Sequence, residues 1–309
     1  MPGVLHNVDQ RTKLVGENRL ELLLFTFGSE QTFALNVFKI QEVVKLPNLT
    51  KMPYRHPCVV GVSHIRDYTI PVINLAQAIG FEPTPVDDDS TIIITEYNRT
   101  VQAFLVGSVD RIVNMNWDQI LPPPKGAGHA HYMTAITHHE EKIVEIIDVE
   151  RVLADIRPYN MDVSDDILSD STLEAAAGKE ILLVDDSPVA IAQASGTLSQ
   201  LGIKIITSKN GLEAYNLLKK WADSGENVAE KLLMIITDAE MPSMDGYRLT
   251  TEVRSDPRLK DLYVILHTSL SGSFNEAMVE KVGCNRFLSK FQPDELANAV
   301  KQRLAEICS

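Results

Sequence analysis

The 309-residue chain has little of three things, and each shortage excludes a class of protein. It holds three cysteines, Cys58, Cys284 and Cys308, whose positions show no paired spacing, so they read as reduced thiols rather than a disulfide frame. It has no long apolar span and no secretory-type leader, which points to a cytoplasmic protein with no direct insertion into the membrane. Basic residues are outnumbered, 29 Lys and Arg against 42 Asp and Glu for a net charge of −13. No basic stripe is visible, which argues against a surface dedicated to nucleic acid. The first half also lacks a Gly-rich phosphate loop and any nucleophile and base at motif spacing.

What is present is an ordinary globular composition, 44% hydrophobic and 23% charged, in a chain long enough for about two domains. The densest signal lies in the last third. Asp185 and Asp186 follow the apolar run ILLV, Asp238 follows LLMIIT, Thr268 ends a run beginning YVILH, and Lys290 follows RFLS. Such runs read as parallel strands buried on both faces, and their carboxyl ends meet in one crevice. Carboxylates brought this close resist joint ionisation unless a hard cation sits among them, so the pattern implies a Mg²⁺ site suited to phosphoryl transfer. Taken singly, each residue has a plainer reading as a cap, a turn residue or a solvated lysine.

From Ile181 to about Ile307 the chain resembles a response-regulator receiver domain. The motifs are ILLVDDSPVA, IITDAEMPSMDG, LHTSLS and RFLSKFQP, met in that order. The resemblance implies a flavodoxin-like, doubly wound α/β domain. It makes Asp238 the nucleophile that takes a phosphoryl group from a kinase phosphohistidine. It gives Mg²⁺ to Asp185, Asp186, Asp238 and the Glu240 carbonyl, and the phosphoryl oxygens to Thr268 and Lys290. Phe287 stands at the aromatic switch position, where, lacking a hydroxyl, it acts by packing alone or is simply core. Many receivers have proline directly after the lysine. Here Pro293 comes later and suits the first position of a helix, PDELANAVKQRLAEI. Ser187 and Pro188 start an earlier helix, in which Gly196 is unfavourable by about 1 kcal/mol relative to Ala.

Between Arg157 and Lys179 periodicity disappears, and residues 155–174 carry six acids against Arg157 alone. Residues 158–178 therefore read as an acidic linker kept extended by self-repulsion, with a short helix open to Ile167–Ala177. Before it, short β-rich runs such as LELLLFTFG, TFALN, VVGVSHI and KIVEIIDV indicate an all-β barrel or sandwich, with helices expected at Val37–Val43, Asn74–Ile79 and Asp148–Ala154. His129, His131, His138 and His139 read as exposed loop rather than a metal site.

Residues 15–157 resemble the CheW-like coupling domain of bacterial chemotaxis, through LLLFTFGSEQTFALNVFKIQEVV, VVGVSHIRD, IPVINL and VGSVDRIVNM. That resemblance implies two small β-barrels binding a chemotaxis histidine kinase and the cytoplasmic tip of a chemoreceptor. Ile40, Glu42, Gly61 and Arg66 fall at its partner-contact positions, with core packing the alternative for Ile40. Asp67 replaces the Gly usual after Arg66 and is placed to pair with it. Coupling domain, acidic linker and receiver at 179–309 together resemble the CheV family. The resemblance implies an adaptor at receptor arrays that is regulated by phosphorylation of Asp238 and is not an enzyme. A phosphate sink and an aspartate-dependent phosphatase are the alternatives.

Overall fold

A computed structural model describes residues 19–53, 55–97, 100–123, 132–157, 161–168, 178–268, 282–290 and 292–308. They form two compact units divided at Pro158/Tyr159.

The first unit contains two sheets. One has the strand order β10-β11-β2-β1-β9, from β1 (Arg19–Thr26), β2 (Thr32–Asn36), β9 (Ser108–Asn116), β10 (Met133–His139) and β11 (Lys142–Ile147). The other runs β3-β7-β8-β6-β5-β4, from β3 (Ile40–Lys45), β4 (Leu49–Thr50), β5 (Val59–Ile65), β6 (Tyr68–Asn74), β7 (Thr91–Tyr97) and β8 (Thr100–Val106). Two helices, α1 (Leu75–Ala78) and α2 (Val149–Ile156), are capped by Asn74 and Asp148 side chains that accept from backbone N–H groups.

Alternation explains why β1 is apolar almost throughout. Leu20, Leu22 and Leu24 point into a cluster with Val113, Met115 and Val144 of their own sheet. Leu23 and Phe25 point the other way, to Ile73, Ile93 and Phe104 of the second sheet and Val149 and Val152 of α2. A third cluster, including Val72, Ile92 and Leu105, fills the second sheet.

The expected helix at Val37–Val43 is corrected. Only Val37–Lys39 make a 3₁₀ turn, and Ile40–Lys45 form a strand antiparallel to β7. The alternating exposure of IQEVVK and its adjacent valines are strand features that prevail over the short run's helical reading.

The second unit is a parallel sheet in the order β13-β12-β14-β15-β16. Its strands are β12 (Glu180–Val184), β13 (Lys204–Ser208), β14 (Leu232–Thr237), β15 (Val264–Thr268) and β16 (Arg286–Ser289). After a short helix, α3 (Asp165–Leu168), come α4 (Pro188–Ser199), α5 (Gly211–Asp223), α6 (Val228–Lys231), α7 (Gly246–Ser255) and α8 (Pro293–Cys308). Ile181 and Leu183 pack on the side of α4 and α8, while Leu182 and Val184 pack on that of α5 and α7. This two-sided burial is the doubly wound pattern. As expected, Ser187 caps α4 by accepting from Ala190 N–H, and Pro293 is the first residue of α8.

Part of the span read as a solvated linker is instead packed. Val163 and Ile167 are 5% and 8% exposed and join the cluster beneath α4 and α8. Two apolar residues four apart outweigh the repulsion of the surrounding acids. The helix open to Ile167–Ala177 overlaps α3 only at Ile167 and Leu168, and positions 169–177 lie outside the described residues.

Candidate functional site

The crevice forms where β12 and β14, neighbours in the sheet, send their following helices to opposite faces. Asp185 directly follows β12 and Asp238 directly follows β14, and Asp238 N–H donates to the Val184 carbonyl at 2.8 Å. Asp185, Asp186 and Asp238 each bring a carboxylate oxygen within 4.8 Å of the others. Lys290, 1% exposed, comes in from the end of β16. Its Nζ lies 2.8 Å from Asp185 Oδ2 and 3.1 Å from Asp238 Oδ2. Its backbone N–H donates to the Thr268 carbonyl at 3.0 Å, which ties the lysine to the buried threonine at the end of β15.

The remaining carboxylate oxygens are oriented locally. Asp185 Oδ1 accepts from Ser187 N–H at 2.9 Å, and Asp238 Oδ1 accepts from Ala239 N–H at 2.8 Å. Asp185 and Asp238 thus each accept from a nearby backbone N–H and share the Lys290 ammonium. Three carboxylates against one lysine leave an excess of negative charge, and the donors present are all oxygen. This set fits a hard divalent cation, with Glu240 two residues beyond Asp238 on the same loop.

Several residues at the site escape sequence reasoning. Gly246 opens α7 so close to the chain that an added Cβ would lie 2.0 Å from the Asp238 carbonyl oxygen. The MDG motif carries that signal, since glycine marks close backbone approach. Asp245 caps the same helix by accepting from Arg248 N–H at 2.6 Å, and burial pushes its carboxyl up. Tyr247 is buried with Ala239 and Leu266, and the expected switch residue Phe287 packs against this cluster with Cys284. Burial first, then the charges of Glu240, Asp245 and Asp238, push the Tyr247 phenol up. His267 is fully buried beside the lysine. Burial first and the Lys290 charge second push its imidazole down to about 3, so it is neutral at physiological pH.

The expected contact positions of the first unit do not form one uniform surface. Ile40 packs partly against the cluster shared by the two sheets. Gly61 is buried where a Cβ would meet the Thr50 carbonyl oxygen at 2.5 Å, which allows β4 to lie against β5. Arg66 is exposed and donates to Glu42 Oε2 at 2.6 Å, so its ion pair is with Glu42 rather than the expected Asp67. Its φ of 55° puts a long side chain at a hairpin-turn position that favours glycine. Tyr68, two residues on and 63% exposed, was not singled out by the sequence. Of the four histidines, His138 and His139 lie in β10, while His129 and His131 fall outside the described residues.

Fold and site together define a CheW-like β module followed by a receiver. Residues 21–157 match the CheW-like domain and residues 181–301 the response regulator receiver domain. Chemotaxis protein CheV3 of Helicobacter pylori is 31% identical over 284 residues, covering 89% of this chain and 89% of its own length. Chemotaxis protein CheV1 of the same organism is 29% identical over 323 residues, covering 98% of this chain and 99% of its own. Chemotaxis protein CheW of Klebsiella aerogenes is 25% identical over 146 residues, covering 46% of this chain and 87% of its own. The chain belongs to the CheV family: it is a chemotaxis coupling adaptor that carries a receiver domain. Among the described residues, no helix is long and apolar enough to cross a membrane.

Proposed function

We propose that Asp238 accepts a phosphoryl group from the phosphohistidine of a chemotaxis histidine kinase, and that its phosphorylation state tunes how the CheW-like module couples that kinase to the cytoplasmic tip of a chemoreceptor. The observation that carries this reading is the buried Lys290 ammonium shared between Asp185 and Asp238. In the transfer, an Asp238 carboxylate oxygen attacks phosphorus, the P–N bond breaks, and its electron pair returns to the kinase imidazole. Asp238 Oδ1 is held by the Ala239 amide, while Oδ2 faces the Lys290 ammonium. Lys290 neutralises charge on the transferred oxygens, and the Thr268 hydroxyl donates to one of them. Asp185, Asp186, Asp238 and the Glu240 carbonyl would hold Mg²⁺, which when bound supplies electrostatic stabilisation of the phosphoryl oxygens. Phe287 responds through its packing on the Tyr247 cluster.

For the coupling surface, the best support is Arg66. A non-glycine residue in the left-handed region is held there at an energetic cost, and such strain is concentrated at functional positions. Arg66 and Tyr68 are the side-chain types that dominate interface energetics, and Glu42 orients the arginine. The protein works at receptor arrays on the cytoplasmic side, as a scaffold rather than an enzyme.

The test is labelled phosphotransfer from a purified chemotaxis kinase to the full chain and to Asp238→Asn, with and without Mg²⁺. Rapid Mg²⁺-dependent labelling that disappears in the variant is expected. An unlabelled wild-type chain would overturn the phosphoacceptor role and leave regulation to binding alone.

A further inference from the structure

The segment Met161–Leu168 is sequestered by the receiver through contacts that have no part in the phosphoryl site. Val163 and Ile167 are buried against α4 and α8. Three polar contacts fix the backbone before them: Val163 N–H donates to Gln200 Oε1 at 3.1 Å, and the Met161 carbonyl accepts from Gln200 Nε2 at 2.7 Å and from Thr197 Oγ1 at 3.3 Å. Ser164 then closes a two-point latch, its N–H and Oγ donating to Asp294 Oδ1 at 2.9 Å and Oδ2 at 2.6 Å. Those bonds hold the Asp294 carboxyl below its usual range, so the latch carries a full negative charge at neutral pH. Gly196 completes the seat. A Cβ there would stand 3.0 Å from the Met161 sulfur, which gives a packing reason for a glycine inside α4.

The latch is tied to the site by the chain itself. Asp294 lies in the first turn of α8, four residues after Lys290, which is held by Asp185 and Asp238. At its other end the strap rests on Gly196, Thr197 and Gln200 at the C-terminal end of α4, whose opposite end is capped by Ser187, the residue whose N–H orients Asp185. A phosphoryl group on Asp238 exchanges one carboxylate charge for roughly two on the phosphoryl oxygens, a net gain of about one negative charge, and draws Lys290 onto those oxygens. The strap brings Asp162, Asp165 and Asp166 with it and latches onto an anion, so added negative charge opposes its docking.

We infer that the groove between α4 and α8 is an internal docking surface whose occupant is the chain's own segment 161–168, and that phosphorylation of Asp238 releases this strap. Release adds residues 161–168 to the stretch of chain that joins the two units. The inference rests on Asp238 being the phosphoacceptor, and the experiment separates the two ideas.

Hydrogen exchange of peptides covering 161–168 is followed in the full chain with Mg²⁺, before and after treatment with acetyl phosphate, while intact mass records the gain of one phosphoryl group. Protection before treatment, and exchange faster by about 5–150-fold after it, is the expected result, the span of ordinary allosteric coupling. Ser164→Ala and Asp294→Ala should each raise exchange in the unmodified protein and shrink the response, without lowering phosphoryl uptake. Exchange of 161–168 at unprotected rates in the unmodified chain would overturn the docking. A phosphoryl mass gain with unchanged exchange would overturn the link to the site. Absence of any mass gain would sink the phosphoacceptor reading and the link with it, while the two latch variants would still decide whether the strap is docked.

Discussion

Lys290 brings one positive charge into a pocket of three carboxylates, so the site has an excess of negative charge that a divalent cation relieves. Adding Mg²⁺ should therefore raise the melting temperature of the receiver, by about 1.4 kcal/mol of stability at ten times the dissociation constant. Asp186→Asn should lessen this gain, because one of the three carboxylates that would hold the cation is gone. Differential scanning calorimetry with and without Mg²⁺ checks both outcomes. His267 gives a second test. Its native value of about 3 lies below the ordinary 6.5, so the unfolded chain takes up the proton first as pH falls. Its contribution to stability is complete above 6.5 and is lost progressively towards 3, with a slope of about 1.4 kcal/mol per pH unit. His267→Leu should flatten that part of the acid limb in urea titrations, and an unchanged limb would show that the native imidazole takes up its proton as readily as the unfolded one.

Among the elements, α7 shows how closely the site depends on its supports. Gly246→Ala puts a carbon against the rigid Asp238 carbonyl rather than a yielding side chain. It should destabilise the receiver by roughly 1–3 kcal/mol and slow phosphoryl uptake, as measured by chemical unfolding and labelling. The parallel strands and the acids at their ends were legible in the sequence, because strands buried on both faces leave long apolar runs that stop at polar residues. The strand Ile40–Lys45 was not, since a run of six residues is too short for its apolar period alone to separate a strand from a helix. The docked strap was hidden for a different reason. Its composition is acidic, and only Val163 and Ile167, spaced one helical turn apart, reveal the buried side. Gly196 was visible as an unfavourable helix residue, but its partner Met161 lies 35 positions earlier and no local pattern connects them.

At the level of the whole molecule, the proposed function assigns partner binding to the first unit and phosphoryl uptake to the second, which makes the two separable by mutation. Arg66→Glu reverses an exposed charge at the hairpin turn and places it beside Glu42. It should weaken capture of the kinase and receptor by tenfold or more, about 1.4 kcal/mol, in pull-down or titration assays, while labelling of Asp238 by acetyl phosphate stays unchanged. Loss of both activities together would indicate global unfolding rather than a surface effect. The cluster in which Leu23 and Phe25 meet Ile93 and Phe104 gives the first unit a different kind of unity. Two sheets that share one apolar interior cannot melt one after the other, because exposing either opens the other's contacts. Residues 19–157 should consequently denature in a single calorimetric step, with a van't Hoff enthalpy equal to the measured one. Chimaeras that exchange one sheet between relatives would then assemble only when the residues of that common interior are transplanted with it.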